Sequence, residues 1–183
     1  MRNAKAGLSV LLFAVVTAAS SAQAQTTPKT NDAPVVQNSD VQTAVARALT
    51  DLKPGVTLSD HIISLTDIGK YAVGVAVVAR PAGTFTGALS HDSITEIYYI
   101  LKGSGTNVTG KLVDGRPGVS TVVGPSLNSN SPLQETVTRK LGPGDFQVIP
   151  AGVGHAFTSV DPGGIEYLVF RMDPDKVLRM ATR

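Results

Sequence analysis

Three side chains in this sequence have types and spacing that suit chemistry at a metal: His91, Glu96 and His155. Two imidazoles and one carboxylate form a donor set for divalent Fe, Mn, Co, Ni or Zn, and on an octahedral ion they leave three positions open. Water, dioxygen or a bidentate substrate would occupy those positions, so the set points to Lewis-acid or oxygen-activating chemistry. The chain has no cysteine. That excludes thiolate ligands, cysteine nucleophiles, iron–sulfur clusters and covalently attached haem.

Short strands and tight turns must position these residues. Leu141 to Asp145 reads as a turn and Phe146–Ile149 as a strand. Ile149-Pro150-Ala151-Gly152 then fits a type I turn, with proline setting φ and glycine accepting a left-handed closing residue. The chain reverses there, and period-two alternation puts His155, Phe157 and Ser159 on one face. His91 and Glu96 are five residues apart, an odd separation that a continuous strand would send to opposite faces. A turn at Asp92-Ser93 returns them to one side. Glu96, Tyr98 and Ile100 then face inward, and Tyr99 faces outward.

The rest of the chain supports that reading. From Thr57 onward, β-branched runs alternate with Gly, Pro, Asn and Asp. Candidate strands are Leu58–Leu65, Lys70–Ala79, Glu96–Leu101, Thr106–Thr109, Thr121–Val123, Glu135–Leu141, Phe146–Ile149, His155–Val160 and Ile165–Met172. Many short strands with turns between them predict an all-β sandwich or barrel. One amphipathic helix precedes them. Ser39 is its expected N-cap with Gln42 at the capping-box position, Val41, Ala44, Val45, Ala48, Leu49 and Leu52 follow at helical spacing, and Pro54-Gly55 ends it. Val113–Ser131 is expected to be a long excursion, a lid or a mobile tip, and Asp173–Met180 a short closing helix.

Residues 1–24 read as a secretory signal peptide: Arg2 and Lys5 precede a charge-free apolar run from Ala6 to Ala19, and Ala22-Gln23-Ala24 offers a cleavage site. The expected location is periplasmic or secreted, with no membrane span after cleavage. Residues 25–38 form a flexible leader, and 39–183 the helix plus barrel. Removing Arg2 and Lys5 from sixteen basic residues leaves fourteen, equal to the fourteen acidic ones. No basic run with interleaved aromatics remains, so nucleic acid is not an expected partner.

Two patterns, Gly83-x5-Leu89-x-His91-x4-Glu96-x6-Gly103 and Gly144-x5-Pro150-x-Gly152-x2-His155, resemble the signature motifs of the cupin superfamily. Two positions depart from the pattern: Leu89 stands where a first histidine is usual, and Ser159 where a final Asn is usual. The resemblance runs from about Thr57 to Met172 and implies a single double-stranded β-helix, or jelly-roll, barrel with the short N-terminal helix outside it. It also implies metal ligation by His91, Glu96 and His155, leaving a three-ligand site whose fourth side is apolar. Homodimers formed through sheet edges are common in that family and are carried as an expectation.

Other residues receive plainer readings. His61 is the remaining histidine and is expected to be structural. Ser90-His91-Asp92 has triad residue types, but sequence neighbours on a strand alternate faces and cannot line up. Gly103-Ser104-Gly105 reads as a turn rather than a phosphate cradle, since no helix follows. Asn107-Val108-Thr109 has glycosylation spacing and carries little weight. Tyr98, Gln147, Phe157 and Tyr167 are candidates for a cavity wall, and Tyr98 is the candidate catalytic acid or base. Arg171 would grip a substrate carboxylate or lie in a surface salt bridge.

The expected function is a metal-dependent enzyme acting on a small molecule, with dioxygenase-type oxidation as the first choice of reaction. Isomerase or lyase chemistry on a hydroxy or sugar acid would use the same site. A non-catalytic barrel that has lost its metal and holds a small ligand or sugar is the principal alternative, and a structural protein pairing through its sheet edges is another.

Overall fold

The computed structural model describes residues 33–120 and 122–180; the expected signal segment and the leader up to residue 32 lie outside them. The helix α1 spans Asn38–Asp51, and Gln37 is its N-cap. The Gln37 backbone N–H donates to the Asp40 carboxylate at 3.0 Å, so the start lies earlier than the expected Ser39 cap. A carboxylate accepts more strongly than an amide and suits the positive end of the helix dipole, which favours Asp40 over Gln42.

Among the described residues ten strands follow: β1 Ser59–Asp67, β2 Ala72–Arg80, β3 Gly83–Thr84, β4 Ala88–His91, β5 Thr95–Lys111, β6 Arg116–Ser120, β7 Gly124–Ser129, β8 Gln134–Leu141, β9 Phe146–Ile149 and β10 Gly154–Asp173. They form one antiparallel jelly-roll barrel. Its hydrogen-bonded order is β1-β2-β10-β4-β7-β6, with β5 joining β10 to β8 and β9. The paired candidate strands on either side of Gly103 are one strand of 17 residues, and those on either side of Gly163-Gly164 are one of 20. The two long strands cross at Gly103, whose φ is +74°. A Cβ there would lie 1.9 Å from the Gly164 carbonyl oxygen, so only glycine lets β5 and β10 stay paired through the bend.

Strand β2 is buried on both faces, as expected of a strand sandwiched between layers. Ala76 and Val78 join the barrel interior with Tyr98, Ile100, Tyr167 and Val169. Val77 and Ala79 face the other way and pack under Ala44, Val45 and Ala48 of α1.

Several local expectations are corrected. The 113–131 segment is not a structureless excursion, because β6 and β7 pair within it as a hairpin. The expected strand at Thr121–Val123 is absent: Val122 and Val123 form that hairpin's turn, and Thr121 is outside the described residues. The closing helix does not form. Pro174 follows β10 directly, Lys176 sits at φ 54°, and the Leu178 N–H donates to Asp173 Oδ2 at 2.7 Å. A left-handed residue cannot propagate a helix, and this path buries Leu178 in the core.

The β9–β10 turn begins one residue later than expected. Val153 N–H donates to the Pro150 carbonyl at 3.1 Å, and Gly152 takes φ +79° at the third position, as a type II turn requires. A bulge between Phe157 and Ser159 then shifts the alternation, so Val160 is buried in place of Ser159.

Candidate metal centre

His91 is the last residue of β4, Glu96 the second of β5 and His155 the second of β10. The bend at Asp92-Ser93 lets the first two share the interior, and all three are buried. The β9–β10 turn is hooked to the first motif, since Gly152 N–H donates to the His91 carbonyl at 2.8 Å. One proline–glycine turn therefore locates His155 and steadies His91.

His91 Nε2 lies 3.6 Å from Glu96 Oε1, and His155 Nε2 lies 3.4 Å from Glu96 Oε2. All three candidate donor atoms fall within 4.8 Å of one another. Donors about 2.1 Å from a common ion stand roughly 3.0–3.4 Å apart at octahedral to tetrahedral angles, so the two histidine–glutamate spacings approach what an ion requires and the set would draw in around it. His155 Nδ1 donates to the Val153 carbonyl at 3.0 Å, the tautomer that leaves a lone pair on Nε2 facing Glu96. His91 Nδ1 is buried and has no hydrogen-bond partner among the described residues.

Glu96 is braced from behind. Its Oε2 accepts from Tyr98 O–H at 2.9 Å, and its Oε1 accepts from Arg171 Nε at 2.8 Å. Burial opposes its ionisation, yet Arg171 and the two histidines outweigh that and hold Glu96 well below the usual carboxylate range. Burial pushes His91 down, with Glu96 offsetting part of the effect. Tyr98 is pushed well above its ordinary range by burial and by Glu96, so its hydroxyl stays protonated as a donor.

Arg171 takes neither of its expected roles. Its Nη1 and Nη2 donate to Asp60 Oδ1 and Oδ2 at 3.0 and 2.6 Å, and its Nε is on Glu96. It is a buried bridge between β1 and β5, already committed within the protein. Leu89 lies directly across from His155 on the β4–β10 ladder. It faces the cavity where a fourth ligand would have come from.

The triad borders a cavity of about 340 Å³. Leu58, Val78, Leu89 and Val169 give it apolar walls, Tyr98, Tyr167 and Arg80 a polar one, and the β6–β7 hairpin adds Ser120, Ser126 and Asn128. Of the four residues proposed for the wall, Tyr98 and Tyr167 line it; Phe157 and Gln147 do not. Phe157 packs behind them, 5.5 Å from the Tyr167 ring centre. Arg80 was not anticipated, although alternation with Ala76 and Val78 would have turned it inward. A separate hollow of about 260 Å³ beside Asp114 and Arg116 contains none of the triad.

The remaining motifs are structural. His61 Nε2 lies 2.9 Å from Asp51 Oδ2 and 3.1 Å from Ser59 Oγ, which ties the end of α1 to β1. Both contacts meet the same ring nitrogen, so the group is no relay. Asn107 is 1% exposed and closed to a glycan.

The family model described as Cupin matches residues 68–182. None of the curated proteins matches the chain in sequence. Among solved structures, BH2720 from Bacillus halodurans is similar over 84% of this chain and 92% of its own, at 13% identity and a TM-score of 0.52. DMSP lyase DddQ from Ruegeria pomeroyi DSS-3 is similar over 72% of this chain and 55% of its own, at 22% identity and a TM-score of 0.44. KdgF from Halomonas sp. is similar over 66% of this chain and 83% of its own, at 17% identity and a TM-score of 0.41. At these identities the likeness is one of fold alone.

Proposed function

The chain belongs to the cupin family, and we propose that it is a metal-dependent enzyme acting on a small molecule in the periplasm or outside the cell. One observation carries the proposal. His91, Glu96 and His155 bring their donor atoms within 4.8 Å of one another at the wall of a cavity of about 340 Å³. When bound, a divalent transition ion supplies Lewis acidity and, in the case of iron, a means of activating dioxygen.

The chain's own residues prepare that site. The Val153 carbonyl fixes the His155 ring, Arg171 and Tyr98 fix the Glu96 carboxylate, and Arg171 foremost keeps it ionised. Tyr98 acts here as a positioning donor, because its proton is committed to Glu96. Leu89 leaves one side of the site apolar and without a protein ligand. A two-histidine, one-carboxylate set with open positions is the arrangement of oxygen-using iron enzymes, so dioxygenase-type oxidation is the reaction we assign first. The export location rests on the signal-type pattern of residues 1–24.

The apolar walls around Leu89 also favour a second reading, a cavity that holds a small ligand without chemistry. Metal analysis of the purified protein separates the two. The enzyme reading expects about one divalent ion per chain, lost in His155→Ala. A wild-type protein that is empty and refuses added Mn, Fe, Ni and Zn overturns it. With metal present, oxygen uptake on a substrate that perturbs the metal spectrum tests the reaction class.

A further inference from the structure

We infer that Arg80 anchors a carboxylate on the molecule that enters the cavity, so that the ligand class is a small, largely apolar monocarboxylic acid. This rests on reading the cavity as the small-molecule site.

The cavity holds two arginines with different commitments. Arg171 is saturated by Asp60 and Glu96, the two acidic side chains in the lining. Arg80, the last residue of β2, is held on one side only. Its Nε donates to Tyr167 O–H at 3.1 Å, and its Cζ lies 5.5 Å from the centre of the Phe157 ring. No carboxylate of the described residues lies within 4.0 Å of it, and its two Nη groups have no hydrogen-bond partner among them.

A guanidinium pinned through Nε and an aromatic face, with both terminal nitrogens unclaimed, presents the planar fork that fits a carboxylate bidentately. The fork remains charged at any physiological pH. Leu58, Val78, Leu89 and Val169 give the body of the ligand apolar contact. Among the side chains lining the cavity no second uncommitted arginine or lysine stands beside Arg80, so the fork itself matches one carboxylate.

The test uses benzoate and its neutral counterpart benzamide, measured by calorimetry and thermal shift on the metal-loaded and the chelator-treated protein. The wild type is expected to bind benzoate at least tenfold more tightly than benzamide in both states. In the chelator-treated protein Arg80→Gln should abolish that preference and Arg80→Lys should keep part of it, and neither should change the metal content of the untreated protein. Equal binding of the two probes to the wild type, no benzoate binding, or unchanged benzoate binding in Arg80→Gln overturns the assignment. Should Arg80→Gln fail to fold, the chelator-treated wild type and Arg80→Lys decide, since no ion then accounts for a benzoate preference. A metal-free protein with an Arg80-dependent benzoate preference refutes the metal reading and upholds this one. A metal-loaded protein without the preference does the reverse.

Discussion

Arg171 and Glu96 are cross-strand partners on β10 and β5, and the arginine Nε donates to the carboxylate at 2.8 Å. The same guanidinium holds Asp60 of β1, so three strands meet behind one candidate ligand. Removing the arginine leaves two carboxylates in a desolvated place without a counter-charge. Arg171→Gln is expected to destabilise the protein by about 3–5 kcal/mol in urea unfolding. It should also weaken metal binding. Arg171→Lys should not restore stability, because an ammonium cannot reproduce the fork across both acids.

Leu89 stands opposite His155 and lines the same cavity. Leu89→His would add a third imidazole beside the triad. Competition with a chelating dye should show metal affinity raised by about tenfold or more, since a fourth ligand adds a bond without new chain closure. Any oxygen-dependent activity should fall, because the added ligand takes one of the open positions. Unchanged affinity would place Leu89 too far from the ion to matter.

Tyr98 donates to Glu96 Oε2 at 2.9 Å and is buried at 4% exposure. Tyr98→Phe removes a hydrogen bond to a charged group and should cost about 1–3 kcal/mol of stability. Metal should remain bound, more weakly. Because Tyr98 acts through Glu96, the pH–rate profile of the variant should keep both limbs of the wild type. Loss of one limb would instead make Tyr98 an acid or base.

With a chelator present, stability should rise with pH. His91 is held below its ordinary range by burial, so as pH falls below about 6.5 the unfolded chain takes up a proton that the folded one refuses. Burial raises Glu96, but Arg171 outweighs it and keeps the folded group ionised to lower pH, so the stability it contributes is present above about 4.3 and is lost as pH falls through its folded value. Both effects have the same sign. Urea midpoints measured from pH 8 to about pH 2.5 should decline below about 6.5 and again below about 4.3. Glu96→Gln should reduce the lower decline and deepen the upper one, because it removes the charge that offsets burial at His91.

Much of the site was legible in the residue order because its rules are local. Odd and even spacing, the Asp92-Ser93 bend and the Pro150–Gly152 turn set which way His91, Glu96, Tyr98 and His155 face. Local rules misplaced what long-range packing decides. Gly103-Ser104-Gly105 reads as a turn, but β5 runs on through it, and close approach to Gly164 makes Gly103 a bend within one strand. Residues 113–131 read as loop because they are rich in Gly, Pro, Ser and Asn, yet β7 finds a partner in β4 and becomes part of the cavity wall.

The sequence by itself determined the barrel class, the types of the three candidate ligands and the inward face of their strands, because backbone dihedrals and side-chain alternation act over a few residues. Only the tertiary structure decided how the charges pair. Register between β10 and β5 commits Arg171 to Glu96, and the end of β2 leaves Arg80 with its fork unclaimed. Two arginines equivalent on paper thus become a brace and an anchor, because strand register sets which carboxylate each can reach.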